Sequence, residues 1–133
     1  FIEEKEGKSI SEIFREIGES GFRELESMYL RELANRQNAV IALGGGTPCF
    51  SDNIEFIKSN GISIYLKLDE SILVGRLRTN KTKRPLIAKK SDQEISDFVR
   101  ETLEKREPFY NQANHVLESN HPNGKQIVSI LND

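Results

Sequence analysis

The sequence predicts an α/β fold in which a parallel sheet carries helices on both faces. Residues 39–43 are all apolar, which is typical of a strand buried on both faces, and the glycines at 44–46 end this run. Residues 62–68 alternate in polarity, as a less buried strand does. Helical patterns separate these strands, and ligands of such sheets bind beyond the carboxyl ends of the strands, where the glycines fall.

The length and charge of the chain limit the kinds of protein to which it can belong. Its 133 residues suit one domain, and 19 Lys and Arg against 21 Asp and Glu exclude a strongly basic nucleic-acid-binding protein. No apolar run reaches the roughly 18 residues of a membrane span. Cys49 is the only cysteine, and His115 and His121 add too few ligands for a structural zinc site. We therefore predict a single cytoplasmic domain without a membrane segment.

Helix signals dominate the first part of the chain. Ser9–Glu12 is a capping box that opens a short amphipathic helix, and Gly18 ends it. A second helix is predicted from about residue 19 or 21 to residue 36. The side chains expected on its buried face are Phe22, Leu25, Tyr29 and Leu33. Arg23 and Glu26 then lie together beside that face.

The rest of the chain continues the alternation of helices and strands. A second capping box, Ser91–Glu94, opens a helix that we expect Pro108 to end. The other predicted elements are a helix capped by Ser51 and running to about 59, a helix over about 70–78, a short strand near 114–117 and a last helix over about 124–131.

Two glycine-containing segments are candidates for phosphate or ligand binding. Gly44–Gly46 allows close approach of backbone to a ligand, and we favour this interpretation over a tight turn that needs positive φ. Gly7-Lys8-Ser9 resembles the end of a phosphate-binding loop, but the pattern requires glycine where this chain has Ile2. We therefore interpret Gly7 as a turn before the next helix.

Basic side chains are concentrated in one segment of this nearly neutral chain. Residues 78–91 contain no acidic side chain and six basic ones, namely Arg78, Lys81, Lys83, Arg84, Lys89 and Lys90. A polyanion suits such a patch, because Arg presents a planar fork to phosphate oxygens. A loop that closes over a nucleotide, a nucleic-acid contact and a solvated loop all remain open from charge alone.

Two other arginines have simple structural explanations. Arg23 can pair with Glu26 one turn along the helix. Arg106 lies near a predicted helix end, where a cation favours the helix dipole. The residues alone do not decide between these explanations and a functional one.

The order and spacing of several motifs make the chain resemble the shikimate kinase family over essentially its whole length. These motifs are Gly7-Lys8-Ser9-Ile10 with Glu12-Ile13-Phe14, Gly18-Glu19, Phe22-Arg23 with Glu26, Leu43-Gly44-Gly45-Gly46, Arg84-Pro85-Leu86 and Arg106-Glu107-Pro108-Phe109-Tyr110. The resemblance implies a P-loop NTPase fold of the nucleoside-monophosphate-kinase type in a single domain over 1–133. Within it, about 1–36 would be substrate-binding helices, about 78–91 a lid and the remainder the core.

The family also has a strand, a phosphate loop and a helix that we expect before Phe1, so the fold over these residues is incomplete at the N-terminus. The phosphate-loop Lys, its Mg²⁺-binding Ser or Thr and an Asp that orients the attacking hydroxyl match no residue here. We therefore expect the 133 residues to be part of a longer molecule and to be inactive by themselves.

The resemblance implies transfer of the ATP γ-phosphate to the 3-hydroxyl of shikimate, on the pathway to chorismate and aromatic amino acids. Arg23 and Arg106 would clamp the shikimate carboxylate, and Glu26 would hold Arg23. The ring and hydroxyls would lie against Gly44, Gly45 and Gly46, with the amides of the last two as donors.

On the nucleotide side, the resemblance implies ATP with Mg²⁺ as the cofactors. Arg84, on the lid, would close onto the ATP phosphates and stabilise charge on the transferring group. Arg76 would stack on adenine, and the turn containing His121 and Pro122 would lie beside it. A monomeric enzyme without nucleic-acid or membrane partners is implied.

Two alternatives remain open. One is another P-loop small-molecule kinase, such as a gluconate-type kinase, although paired arginines with a triple glycine favour a carboxylated ring. The other is a non-catalytic module that uses residues 78–91 to bind nucleic acid or a protein surface.

Overall fold

The structure is a computed structural model that describes residues 1–80 and 87–133. The contacts between residues divide the chain into two units, 1–61 and 62–133. Six residues of the predicted lid, including Arg84, lie outside the described residues. The assignment of the whole chain to a single domain stays a prediction.

The first unit begins with a short helix, α1 (Ile2–Glu6), and a long one, α2 (Ile10–Leu33). Gly7 separates them with φ 64°, in agreement with the predicted turn. Ser9 and Glu12 form the predicted capping box at the start of α2. Gly18 interrupts α2 with φ 69° and ψ −178°, a conformation that glycine adopts without steric cost. The predicted division into two helical segments at Gly18 is thus confirmed.

The second segment of α2 buries one face and one charge. Its buried side chains are Phe22, Glu26, Tyr29 and Leu30. Leu25 and Leu33, which the sequence also assigned to this face, are only half-buried. α1 is held against α2 by a hydrogen bond from the Tyr29 hydroxyl to Glu6 and by an ion pair of 2.6 Å between Lys5 and Glu32.

The strand predicted over residues 39–43 does not form in this structure. The described sheet consists of the two strands of the other unit, and residues 39–43 are exposed irregular backbone in which Val40 has no burial. An apolar run carries a preference for burial, but a strand also needs a hydrogen-bonded neighbour for its N–H and C=O groups. Among the described residues this segment has no such neighbour.

A 3₁₀ turn follows the glycines over Thr47–Cys49 and leads into α3 (Asn53–Asn60). Ser51 was predicted to cap α3, and this was wrong because Asp52 occupies the N-cap position. Ser51 instead has φ 51°, so it belongs to the turn that redirects the chain before the helix.

The second unit is built on a parallel pair of strands, β1 (Ile64–Lys67) and β2 (His115–Glu118). Their register aligns Ile64 with His115 and Lys67 with Glu118, so their carboxyl ends lie side by side. This pairing confirms the prediction of a parallel α/β sheet. Three more helices belong to the unit: α4 (Glu70–Thr79), α5 (Asp92–Tyr110) and α6 (Gly124–Asn132).

α4 and α5 form the apolar core of this unit. Val74, Ile95 and Val99 are buried together, with Leu73, Leu77 and Leu103 packed around them. Ile95 and Val99 are four residues apart in α5 and therefore lie on the same face of the helix. Among the described residues no helix is both long and apolar enough to cross a membrane.

The expectation that Pro108 ends α5 was wrong, because the helix continues to Tyr110. Pro108 has no N–H to donate to the Glu104 carbonyl, but Glu104 is exposed to water, which can supply a donor in its place. The Asn111 N–H still donates to the Glu107 carbonyl at 2.8 Å, which closes the turn after the proline.

The capping box of α5 leads to a stability prediction. The Ser91 hydroxyl accepts from the Glu94 N–H at 3.2 Å, and the Ser91 N–H donates to the Glu94 carboxylate at 2.5 Å. We expect Ser91→Ala to lower the free energy of unfolding by about 1 kcal/mol, measured by urea denaturation. Ser91→Asp, which retains a capping oxygen, should stay near the wild-type value. Equal losses in both variants would contradict a capping role.

Tyr65 leads to a prediction about pH. Burial raises the pKa of its hydroxyl from 10.0 to about 12, and the nearby Glu107 carboxylate, which accepts a hydrogen bond from it, adds to the rise. The folded-state pKa lies above the unfolded value, so this stabilisation is fully present below about pH 10 and is lost as the pH rises toward 12. We expect the urea midpoint of wild type to fall more steeply over this interval than that of Tyr65→Phe. Parallel curves for the two proteins would show that Tyr65 does not contribute.

Candidate functional site

Arg23 lies in the second segment of α2 and is held from three sides. Its Nη1 donates to Glu26 Oε2 at 2.9 Å, and its Nη2 lies 3.4 Å from Glu19 Oε1. The guanidinium carbon also lies 4.1 Å from the centre of the Phe50 ring, a cation–π contact. The pairing of Arg23 with Glu26 was predicted from their spacing and is confirmed. The Phe50 contact was not predicted, because it joins α2 to the end of the 3₁₀ turn.

Among the described residues, one donor of Arg23 has no acceptor. This donor is the Nε, which is buried. The side chain as a whole is 18% exposed. A buried donor without an acceptor costs free energy. An external anion can reach Arg23 only at the exposed part of its side chain, and a carboxylate has the geometry that an Arg fork binds best.

Glu26 is a buried carboxylate with both oxygens engaged, and it is only 8% exposed. Oε2 accepts from Arg23 at 2.9 Å, and Oε1 accepts from the Thr47 hydroxyl at 2.6 Å. Burial of a charge is tolerated when it is paired and hydrogen-bonded in this way. Sequence reasoning missed Thr47. The only signal for it was a hydroxyl residue directly after the triple glycine.

Gly44 and Gly46 lie close to this pair of side chains. A Cβ on Gly46 would lie 2.7 Å from Arg23 Nη1. A Cβ on Gly44 would lie 3.2 Å from Thr47 Oγ1 and 3.3 Å from Glu26 Oε1. The sequence predicted a close approach at this segment, and the structure shows one to the protein's own side chains. Gly46 has φ −84°, so positive φ does not explain its identity.

Gly45 lies between these two glycines, and its carbonyl is 3.8 Å from the Cys49 thiol. The predicted roles of the Gly45 and Gly46 amides as donors to a substrate stay predictions.

Arg106 belongs to the other unit, where it lies half-buried near the end of α5. The next residue, Glu107, accepts a hydrogen bond from the Tyr65 hydroxyl at 3.4 Å, and the Tyr65 and Tyr110 rings are 5.0 Å apart. These contacts anchor the end of α5 to β1. The predicted pairing of Arg106 with Arg23 on one carboxylate stays a prediction.

The candidate nucleotide residues that the structure describes cluster beyond the carboxyl ends of β1 and β2. Arg76 Nη2 donates to the Asn120 carbonyl at 3.3 Å. The Asn120 side chain binds Asp69 twice: it donates to Oδ2 at 2.6 Å and accepts from the backbone N–H at 2.9 Å. His121 is exposed and Pro122 half-buried, directly after this clamp. The structure therefore brings Arg76 to the turn that the sequence associated with it.

A shallow depression lies at the same place in the second unit. It is lined by Lys67, Leu68, Asp69, Glu118, Ser119 and Asn120. The carboxyl ends of parallel strands are where α/β sheets bind ligands, so this depression is a candidate subsite.

A metal site made by side chains alone requires a cluster of ligating groups. Over residues 1–80 and 87–133, no group of three His, Cys, Asp or Glu side chains is arranged to hold a metal ion. No chemical step is assigned to a metal ion among the described residues.

The chain is similar to known proteins in both sequence and structure. A sequence model of the shikimate kinase family matches residues 1–132. The shikimate kinase of Phocaeicola vulgatus is 44% identical over 133 residues, which cover all of this chain and 76% of the relative.

Two solved structures share the fold. The crystal structure of shikimate kinase from Bacteroides thetaiotaomicron matches with a TM-score of 0.87 and 43% identity, over 98% of this chain and 75% of that one. The shikimate kinase from Acinetobacter baumannii in complex with shikimate matches with a TM-score of 0.81 and 33% identity, over 98% and 71% of the two chains.

These matches confirm the α/β P-loop kinase fold class expected from the motifs, and the family acts as transferases in aromatic amino acid biosynthesis. A family match over nearly the whole chain, together with the two structural matches, leads to one conclusion: this chain belongs to the shikimate kinase family.

Proposed function

We propose that this protein phosphorylates the 3-hydroxyl of shikimate with ATP to form shikimate 3-phosphate. The observation that carries the proposal is the Arg23 guanidinium, which is fixed by Glu26 and Phe50 while 18% of its side chain stays exposed. A cation prearranged in this way is suited to a small carboxylate. A relative at 33% identity was solved with shikimate bound, which supports the same substrate class here.

Substrate binding is assigned to two arginines and three glycines. Arg23 and Arg106 grip the carboxylate, Glu26 holds Arg23, and Gly44, Gly45 and Gly46 form the floor under the ring. The small size of Gly44 and Gly46 supports this assignment, because Gly46 lies against the Arg23 guanidinium and Gly44 against the Glu26 carboxylate. Two guanidinium groups on one carboxylate would orient the ring as well as bind it.

Binding of ATP is assigned to Arg76, His121 and Pro122 on the adenine side and to Arg84 on the phosphates. The clamp between Asp69 and Asn120 supports the adenine assignment, because it fixes the turn that presents His121. Arg84 lies outside the described residues, so its assignment depends on the Arg84-Pro85-Leu86 motif alone.

In the proposed reaction the 3-hydroxyl oxygen attacks the γ-phosphorus, the bond to the β,γ-bridging oxygen breaks, and the hydroxyl proton is released. The products are shikimate 3-phosphate and ADP. Positioning and charge stabilisation supply most of the catalysis in such transfers. Mg²⁺ is the proposed companion of ATP, held by groups other than the described side chains. The expected inactivity of the 133 residues by themselves stays a prediction, as do the monomeric state and cytoplasmic location.

The two alternatives are a gluconate-type kinase and a non-catalytic module that binds nucleic acid or protein. No observation on the described residues favours either of them. A single function is therefore proposed.

The carboxylate grip leads to a binding prediction for the intact protein. We expect Arg23→Ala and Arg106→Ala each to weaken shikimate binding by roughly tenfold to a hundredfold, because each removes a charge-assisted hydrogen bond. Isothermal titration calorimetry would measure the two affinities.

Matched controls lie on the same helices. Arg15→Ala on α2 and Arg100→Ala on α5 each remove an exposed arginine and should leave shikimate affinity unchanged. Wild-type affinity in both Arg23→Ala and Arg106→Ala would contradict the grip.

The assignment of Arg84 leads to a kinetic prediction. Stabilisation of charge on the transferring group acts in the transition state, so Arg84→Ala should lower kcat by about a hundredfold or more. The shikimate KM should change much less. Steady-state kinetics with each substrate varied in turn would separate the two effects. A change confined to the shikimate KM would show that Arg84 acts on the acceptor instead.

A further inference from the structure

We propose that Thr47 is a positioning residue for the substrate carboxylate: its hydroxyl holds Glu26, and Glu26 holds the Arg23 guanidinium. This inference depends on the proposed function, because it assigns to Thr47 the orientation of the group that grips the substrate. Thr47 itself does not contact the substrate in this proposal.

The hydrogen bond between Thr47 and Glu26 is short and shielded from water. Thr47 Oγ1 lies 2.6 Å from Glu26 Oε1, and the two residues are 3% and 8% exposed. A hydroxyl that donates to a carboxylate in such surroundings makes a strong, directional bond. It therefore holds Oε1, while Oε2 remains available to Arg23 at 2.9 Å.

Thr47 is itself rigidly placed. Its N–H donates to the Gly44 carbonyl at 3.0 Å, and its carbonyl accepts from Asn53 Nδ2 at 2.9 Å. Asn53 is completely buried, and its Oδ1 accepts from Arg31 Nη1 at 3.1 Å. Arg31 belongs to α2, like Glu26. The turn that carries Thr47 is therefore tied to α2 at two points more than one helical turn apart.

The packing leaves little space for another arrangement. A Cβ on Gly44 would lie within 3.3 Å of both Thr47 Oγ1 and Glu26 Oε1. Without the Thr47 hydroxyl, Oε1 would be buried without the donor that now holds it, and the carboxylate would rotate or admit water. Either change would loosen Arg23, because one side of its orientation depends on Oε2.

The test compares Thr47→Val with Thr47→Ser in the intact protein. Valine keeps the shape but removes the hydroxyl, so shikimate affinity should fall by roughly three- to tenfold. Serine keeps the hydroxyl and should restore most of the affinity. ATP affinity should not change in either variant. Thr47→Ala serves in place of valine if Thr47→Val does not fold, as judged by urea denaturation.

A substrate analogue separates positioning from general damage. In shikimyl alcohol the carboxylate is replaced by CH₂OH, so it has no charge for Arg23 to grip. Thr47→Val should leave the affinity for this analogue unchanged. Equal weakening for shikimate and the alcohol would overturn the positioning role.

A double-mutant cycle completes the experiment. In the Arg23→Ala background, Thr47→Val should cause no further loss of shikimate affinity, because its effect acts through Arg23. An undiminished loss in that background would overturn the proposal. If Arg23→Ala weakens binding and Thr47→Val does not, the positioning role fails while the proposed function stands. If Arg23→Ala leaves shikimate binding intact, the part of Arg23 in the grip and the positioning role of Thr47 both fail.

Discussion

The first unit depends on one buried charge, the carboxylate of Glu26. An ionised carboxylate at this depth is unfavourable unless both oxygens are paired, and Arg23 and Thr47 supply the two partners. This requirement brings the 3₁₀ turn against α2. It also explains why the residues at 44 and 46 have no side chain, since a Cβ at either position would crowd the pair. The geometry of the candidate carboxylate site follows from satisfying Glu26.

The second unit obtains its candidate site in a different way. β1 and β2 are parallel and in register, so the residues that follow them emerge at the same edge. Asp69 follows β1 and Asn120 follows β2, and the two hydrogen bonds between them join the loops. Arg76 then reaches the Asn120 carbonyl from α4. In this unit the parallel strands bring the candidate residues to one edge of the sheet. The hydrogen bonds between Asp69 and Asn120 then fix them there, without a buried charge.

Local signals in the sequence predicted most of the helices. Both predicted capping boxes and the break at Gly18 depend on residues within one turn of each other, so they can be interpreted without knowledge of the fold. The predictions that were wrong have a common cause. The strand predicted over residues 39–43 would have needed a neighbouring strand. Whether Ser51 caps α3 depends on the geometry of the turn before that helix, and whether Pro108 ends α5 depends on the surroundings of its last turn. Each of these depends on surroundings that a local pattern does not contain.

The sequence by itself determined the family, because motif order along the chain does not depend on how the chain folds. It also determined the contact between Arg23 and Glu26, which are one helical turn apart. Only the tertiary structure decided that Glu26 is buried and that Thr47, 21 residues away in the chain, is its second partner. It likewise decided that Gly46 lies against the Arg23 guanidinium and Gly44 against the Glu26 carboxylate. These facts depend on contacts between residues that are far apart in the chain. A buried charge or donor without a partner costs free energy, so burial favours an arrangement in which it is paired.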